Sequence, residues 1–153
     1  MNGERINFIQ YNVIMSLTRF LKAQETDFEI AKNELLNGKK KSHWIWYIFP
    51  QLKGLGMSFN SEYYGIKDIR EAEDYYYHII LGARLFELTN ILLELNVDDI
   101  SEVMPFPDNL KLKSSMTLFY KASHNEIFKG VIDKYFDGEF DEKTLNLLEE
   151  MDN

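Results

Sequence analysis

Apolar residues recur at Ile6, Ile9, Val13, Leu17, Phe20 and Leu21, the three-and-four spacing of one helical face. That periodicity predicts a helix over 6–21. The pattern continues from Asp27 with Phe28, Ala31, Leu35 and Leu36, and ends at Asn37-Gly38, residues that tolerate the left-handed backbone beyond a helix C-terminus. The run His43–Phe49 is apolar on all sides, so its period does not separate a buried strand from a buried helix. Pro50 ends either one, and the helical surroundings favour a short helix. Gly54 and Gly56 punctuate a loop that leads into 58–66. Asp68 and Glu71 have capping-box spacing. Asp68 would accept from the first-turn amides and Glu71 would reach back to the Asp68 N–H. The helix they open runs through Tyr75-Tyr76-Tyr77 to His78, and Gly82 marks a joint before the periodic stretch Leu85, Leu88, Leu92, Leu95. A short acidic piece, 97–103, precedes Pro105-Phe106-Pro107, which cannot be helix interior. Three helices follow: 110–121 capped by Asp108, 125–136 stopped by Gly138, and one from the cap Asp141 to Met151. No repeat, low-complexity tract or linker interrupts the chain. The expectation is a mainly α, compact single-domain bundle of seven or eight helices, with 1–16 as a helical extension on a domain spanning 17–150.

Composition narrows the function classes. The 153 residues are 45% hydrophobic and 14% aromatic, which excludes disorder as the bulk state. Seventeen Lys plus Arg against 25 Asp plus Glu leave a net charge of −8, which opposes binding to a phosphate backbone, so duplex nucleic acid is not an expected partner. There is no Cys, hence no disulfide, thiol nucleophile or thiolate metal site, and three His are few for an all-His cage. Neither a metal nor a cofactor is expected. No apolar run approaches the roughly 18–20 residues of a membrane span, and no signal-peptide pattern opens the chain. A cytoplasmic protein without a membrane partner is expected.

Two blocks carry candidate chemistry. Lys39-Lys40-Lys41 could neutralise an anionic group while His43 donates to it and Trp44 or Trp46 offers a stacking face. Equally, the lysines could be a solvated turn at a helix C-terminus and the aromatics core. Two Trp separated by one residue point in different directions, so at most one can serve a pocket. The second block, Lys111-Leu112-Lys113-Ser114-Ser115-Met116-Thr117, puts hydroxyls beside a cation at helical spacing. It could hold a phosphate or carboxylate, or its small residues could allow close packing with the hydroxyls bonded back one turn. Gln51 and Arg84 join the candidates as an amide and an anion fork, and Arg84 also reads as a surface charge. No nucleophile elbow, His-Glu-x-x-His helix or phosphate loop is present, and Gly54-Leu55-Gly56 lacks a strand-turn-helix context. Catalytic residues are therefore not assigned.

The blocks Arg19-Phe20-x-x-Ala23-Gln24, Gly38-x-Lys40-x-Ser42-His43-Trp44-x-Trp46-x-x-Phe49-Pro50-Gln51-x-x-Gly54-Leu55-Gly56-x-Ser58, Leu81-Gly82-x-Arg84-Leu85 and Asp108-x-x-Lys111-Leu112-x-Ser114-Ser115-Met116-Thr117 together resemble the family called domain of unknown function 1810. Glu71-Ala72 and Gly138-x-x-Asp141-x-x-Thr144-Leu145 agree with it, and the likeness spans Leu17 to about Leu148. It implies a mainly α-helical domain and brings no reaction. The chain departs from the family pattern in its longer 1–16 segment, in Ile79 where a Pro is usual, and in Pro105-Phe106-Pro107. It is more faintly similar to the NADAR family of ADP-ribose-linked N-glycosidases. That family has an acidic residue before its His, where this chain has Ser42, and a final Trp-Gly block that is missing here.

The functional expectation is a site for a small anionic, nucleotide or ADP-ribose-like ligand, built from His43, Trp44, Gln51, Arg84, Lys111, Ser114, Ser115 and Thr117. The ligand would be sequestered or hydrolysed at an N-glycosidic bond. The alternative is a non-enzymatic protein-interaction module presenting Tyr63, Tyr64 and Tyr75–Tyr77 on an acidic surface.

Overall fold

The computed structural model describes residues 5–152, and among them the chain forms eight α-helices, one 3₁₀ turn and no strand. α1 (Phe8–Leu36) is one continuous rod, in which the two stretches read from the sequence are joined because Lys22–Thr26 holds no Gly or Pro. Its buried residues, Leu17, Phe20, Gln24, Phe28, Ala31 and Leu35, form a single stripe at three-and-four spacing. Asn7 and Gln10 cap it reciprocally, side chain to backbone at 2.8 and 2.9 Å. Of the 1–16 extension, residues 1–4 lie outside those described, and 8–16 are the first turns of α1 itself. Gly38 ends the rod with φ +70°, as its place beyond the last periodic residue requires.

The aromatic run is a helix of a single turn, α2 (Ile45–Ile48). α3 (Phe59–Tyr63) follows, and an isolated parallel bridge joins Leu52 to Ile66 across it. α4 (Ile69–Tyr77) and α5 (Leu81–Glu94) meet at a tight corner, and a 3₁₀ turn (Ile100–Glu102) leads to α6 (Asp108–Ser123), α7 (Glu126–Tyr135) and α8 (Glu142–Met151). Asp68, Asn125 and Asp141 cap α4, α7 and α8 as their side-chain chemistry predicts. Two other caps differ from expectation. Glu71 does not return to the Asp68 amide. Its Oε1 takes the Lys67 N–H at 3.2 Å and the Arg19 guanidinium at 2.9 Å, because a partly buried cation draws the carboxylate away from the helix end. Asp108 is the first residue of α6 rather than its cap, and its carboxylate is held by Lys40.

The core is organised on α6. Leu112 and all six residues from Ser114 to Phe119 are buried, so this helix has no solvent face over nearly two turns. α4, α7, α8 and α2 pack around it. Tyr75 of α4 and Phe128 of α7 meet Phe119 at ring separations of 5.2 and 6.0 Å, and Phe20 of α1 meets Tyr75 edge-on at 5.1 Å. Arg19 ties α1 to the α3–α4 connection by donating to the carbonyls of Tyr63 and Gly65 as well as to Glu71. No described helix is long and apolar enough to cross a membrane.

The α4–α5 corner depends on Gly82. A Cβ there would collide with the Tyr76 carbonyl oxygen, a backbone atom that cannot rotate away. Gly82→Ala is therefore expected to cost at least about 2 kcal/mol, read as a thermal midpoint lowered by roughly 4–8 °C in a calorimetric or circular-dichroism melt.

Candidate functional site

The site is positioned by a carboxylate in the last turns of α1. Glu34 Oε1 accepts from the backbone N–H of Lys41 and Ser42 and from Trp44 Nε1 at 2.7–2.9 Å, while Oε2 accepts from Ser42 Oγ at 2.6 Å. Burial alone would raise its pKa, but the Ser42 hydroxyl, the two amides and the indole hold the carboxyl at about 2. The basic turn is thereby folded back on α1 and Trp44 is pinned in the core. Lys40 in that turn points inward with its side chain only 5% exposed. It pairs with Asp108 at 2.7 Å, lies 4.8 Å from the Trp44 ring centroid and donates to the Ser42 carbonyl. Lys39 and Lys41 are exposed and form the solvated turn. The start of α6 is thus locked to the aromatic block, and Lys111, one turn on, sits 4.9 Å from the ring of Trp46.

Beyond that lock lies an open cleft of about 500 Å³. Gln51, Leu55 and Gly56 form one wall, Pro107 with Leu110, Lys111, Lys113 and Ser114 of α6 a second, and 139–143, leading into α8, the third. Gln51 is 7% exposed, and its side-chain amide, which forms no hydrogen bond with any described residue, reaches the solvent of the cleft. Gly56 is required where it stands, since a Cβ would come within 2.8 Å of Ser61 Cβ and 3.8 Å of Gln51 Nε2. Ser114 Oγ lies 3.1 Å from the Leu110 carbonyl and 3.0 Å from Asp141 Oδ2. That carboxylate oxygen also accepts from Thr144 N and Thr144 Oγ1, so Asp141 is committed to capping. Glu139 and Glu142 are exposed and unpaired, as is Lys143, and Lys113 faces the ring of Phe136 at 5.8 Å without a carboxylate within salt-bridge distance among the described residues. Lys111 is 3.7 Å from Asp108, whose shorter contact is with Lys40. The cleft thus offers three ammonium groups, an amide without a partner, and an apolar bed of Leu55, Leu110 and Phe140.

Of the residues singled out in the sequence, Gln51, Lys111 and Ser114 line this cleft, and the others do not. His43 is exposed. Trp44 is completely buried with its N–H spent on Glu34, so no ring can stack on it. Arg84 lies between α1 and α5, donating to Gln24 Oε1 at 3.2 Å with its guanidinium 4.9 Å from the Phe28 centroid. Thr117 is sealed, bonded back to the Lys113 carbonyl and accepting the Asp141 N–H at 2.9 Å. Ser115 is also sealed, and its hydroxyl has no partner among the described residues. Among the tyrosines, Tyr75 is core, with its hydroxyl bonded to Gln24 and pushed well above the usual phenol range by burial, and Tyr76 bonds Asn125. Tyr63 and Tyr77 remain on the surface, at 50% and 72% exposure. The Tyr75–Tyr77 patch is not continuous, because consecutive helical residues face different sides.

Sequence reasoning missed Lys113, Lys143 and Phe140. Lys113 and Asp141 stood inside blocks already singled out, whereas nothing in 139–143 marked it as the far wall of the hollow facing Gln51. Among the described residues no cluster of His, Asp and Glu could hold a metal ion.

The family model described as "Protein of unknown function (DUF1810)" matches residues 14–148. A crystal structure of the conserved hypothetical protein Rv1873 from Mycobacterium tuberculosis is similar at 41% identity and a TM-score of 0.86, covering 88% of this chain and 96% of that one. No curated protein matches. The likeness to NADAR proteins rests on the sequence blocks alone.

Glu34 sets a pH signature. Its folded pKa of about 2 lies below the ordinary carboxylate value of 4.5, so its stabilisation is complete above the higher value and is lost as pH falls through the lower one. Glu34→Gln should lower the thermal midpoint at neutral pH, with a deficit that shrinks steadily as both proteins are melted at decreasing pH between those values.

Proposed function

This chain belongs to the DUF1810 family, and we propose that its cleft is a binding site for a small anionic ligand of nucleotide type. The observation that carries the reading is Gln51: a residue more than nine-tenths buried whose side-chain amide opens onto the cleft with no hydrogen-bond partner among the described residues. The amide is solvated only by the open cleft, so a ligand's donors and acceptors could replace that water without breaking any hydrogen bond within the protein. Lys111, Lys113 and Lys143 would neutralise phosphate or carboxylate groups, each as a mobile point charge rather than a fork. Leu55, Leu110 and Phe140 would cover a ring, and the Gln51 amide would read its edge.

Sequestration fits the lining better than hydrolysis. None of the three His borders the cleft, and the base beside Ser114 Oγ is the Asp141 carboxylate, which is committed to capping α8, while the Leu110 carbonyl competes for the same hydroxyl proton. Glu139 and Glu142 are the lining carboxylates left for acid–base work, and both stand in solvent.

Calorimetric titration with ADP-ribose, NAD, AMP and inorganic phosphate tests the proposal. One of the nucleotide probes should bind saturably at one site per chain. Lys111→Met and Gln51→Leu should each weaken it at least tenfold, about 1.4 kcal/mol, with unchanged circular dichroism, and added salt should weaken it further. Absence of binding by all four, or binding indifferent to both substitutions, overturns the reading.

A further inference from the structure

The three lysines of the cleft differ in what surrounds them. Lys143 is exposed, and Lys113 lies 5.8 Å from the Phe136 ring. The Lys111 side chain is only 23% exposed, and its ammonium stands 4.9 Å from the centroid of Trp46. Its one carboxylate contact among the described residues, Asp108 Oδ1 at 3.7 Å, is beyond hydrogen-bonding reach, and the other oxygen of that carboxylate is paired with Lys40 at 2.7 Å. Two ammonium groups thus share a single carboxylate at the start of α6, which leaves a local excess of positive charge there. The N–H groups of Lys111 are left to the water of the cleft, or to an anion that replaces that water.

Trp46 is what restrains that ammonium. It belongs to the one-turn helix α2, partly buried and packed against the core, so its ring offers a fixed surface. The face of an indole attracts a cation more strongly than that of a phenyl or phenol ring, and the more so where water is partly excluded. The indole N–H takes no part, since Trp46 Nε1 is sealed from solvent with no hydrogen-bond partner among the described residues. A phenylalanine would avoid leaving a buried N–H unpaired, so what tryptophan adds at this place is bulk and a stronger ring face. Trp46 also lines a hollow of about 10 Å³ together with Gln51, whose amide opens onto the cleft. Gln51 and Lys111 are therefore both neighbours of one aromatic side chain.

We infer, on the reading of the cleft as an anion site, that Trp46 is its positioning residue: the ring face holds the Lys111 ammonium in place and makes Lys111, rather than Lys113 or Lys143, the seat of the ligand's phosphate or carboxylate. A charge already held loses less freedom on binding than one that the ligand must order, so the ring contributes to affinity without touching the ligand.

A double-substitution cycle read by calorimetric titration with ADP-ribose, NAD and AMP separates this role from support of the fold. Trp46→Leu should weaken binding about fivefold where Lys111 is present, and should add nothing to the loss in a Lys111→Met background. Trp46→Phe, a smaller change in the core, should keep most of the affinity and show a coupling of the same sign. Should Trp46→Leu fail to fold by circular dichroism, Trp46→Phe carries the same test, its loss again confined to the background that retains Lys111. Lys113→Met and Lys143→Met should each weaken binding less than Lys111→Met. A loss of equal size in both Lys111 backgrounds, or a larger loss from either of the other lysines, overturns the inference. Binding that depends on Lys111 but not on Trp46 leaves the anion site standing and overturns the positioning role alone, whereas no binding by any of the probes overturns both.

Discussion

Helix α6 has no side to spare for solvent from Ser114 to Phe119, and the positions of the surrounding helices follow from the need to cover it. A helix enclosed on every side cannot carry large residues throughout, since its neighbours would be held too far apart for close packing. Serine and threonine solve this by being small and by returning their hydroxyls to the carbonyl one turn earlier, as Ser114 and Thr117 do. The same two side chains then reach α8 through Asp141, so one set of small residues both permits the packing and aligns a wall of the cleft. The hydroxyls that looked like ligand groups in the sequence are in large part structural, and their bearing on the cleft is to fix its shape.

Much of the architecture was legible because it was written locally. Amphipathic spacing, the caps Asp68 and Asp141 and the stops Gly38 and Gly138 each act within a few residues, and each appears where its chemistry placed it. The fusion of α1 across Lys22–Thr26 was less visible, since the apolar stripe there passes through Gln24, a polar residue that is buried because it serves Tyr47, Tyr75 and Arg84 at once. The misreadings of Glu71 and Asp108 share a cause. Both carboxylates have a local use at a helix start and a stronger non-local partner, Arg19 or Lys40, and only the fold brings that partner near. Charge-assisted pairing at half-buried positions outcompetes a neutral amide.

The candidate site was legible only in fragments. Gln51, Lys111 and Ser114 share a cleft, while His43, Trp44 and Arg84, equally prominent in sequence, are drawn elsewhere. Trp44 illustrates why. Its conspicuous ring is the plug that Glu34 and Lys40 hold in place, and Glu34 carries no sequence signal beyond being one more acid on a helix. The far wall was hidden for a geometric reason: 139–143 faces Gln51 across a fold made by five intervening α-helices and a 3₁₀ turn, and no local pattern encodes that distance.

The length of α1 has a consequence of its own. At about 1.5 Å per residue its 29 residues make a rod of about 44 Å, while a compact chain of this size has a radius of gyration near 15 Å. A globule that small cannot sheathe such a strut from tip to tip, so some overhang is dictated by arithmetic before any side chain is chosen. What evolution left free was the character of the overhang, and here it is oily rather than wetted.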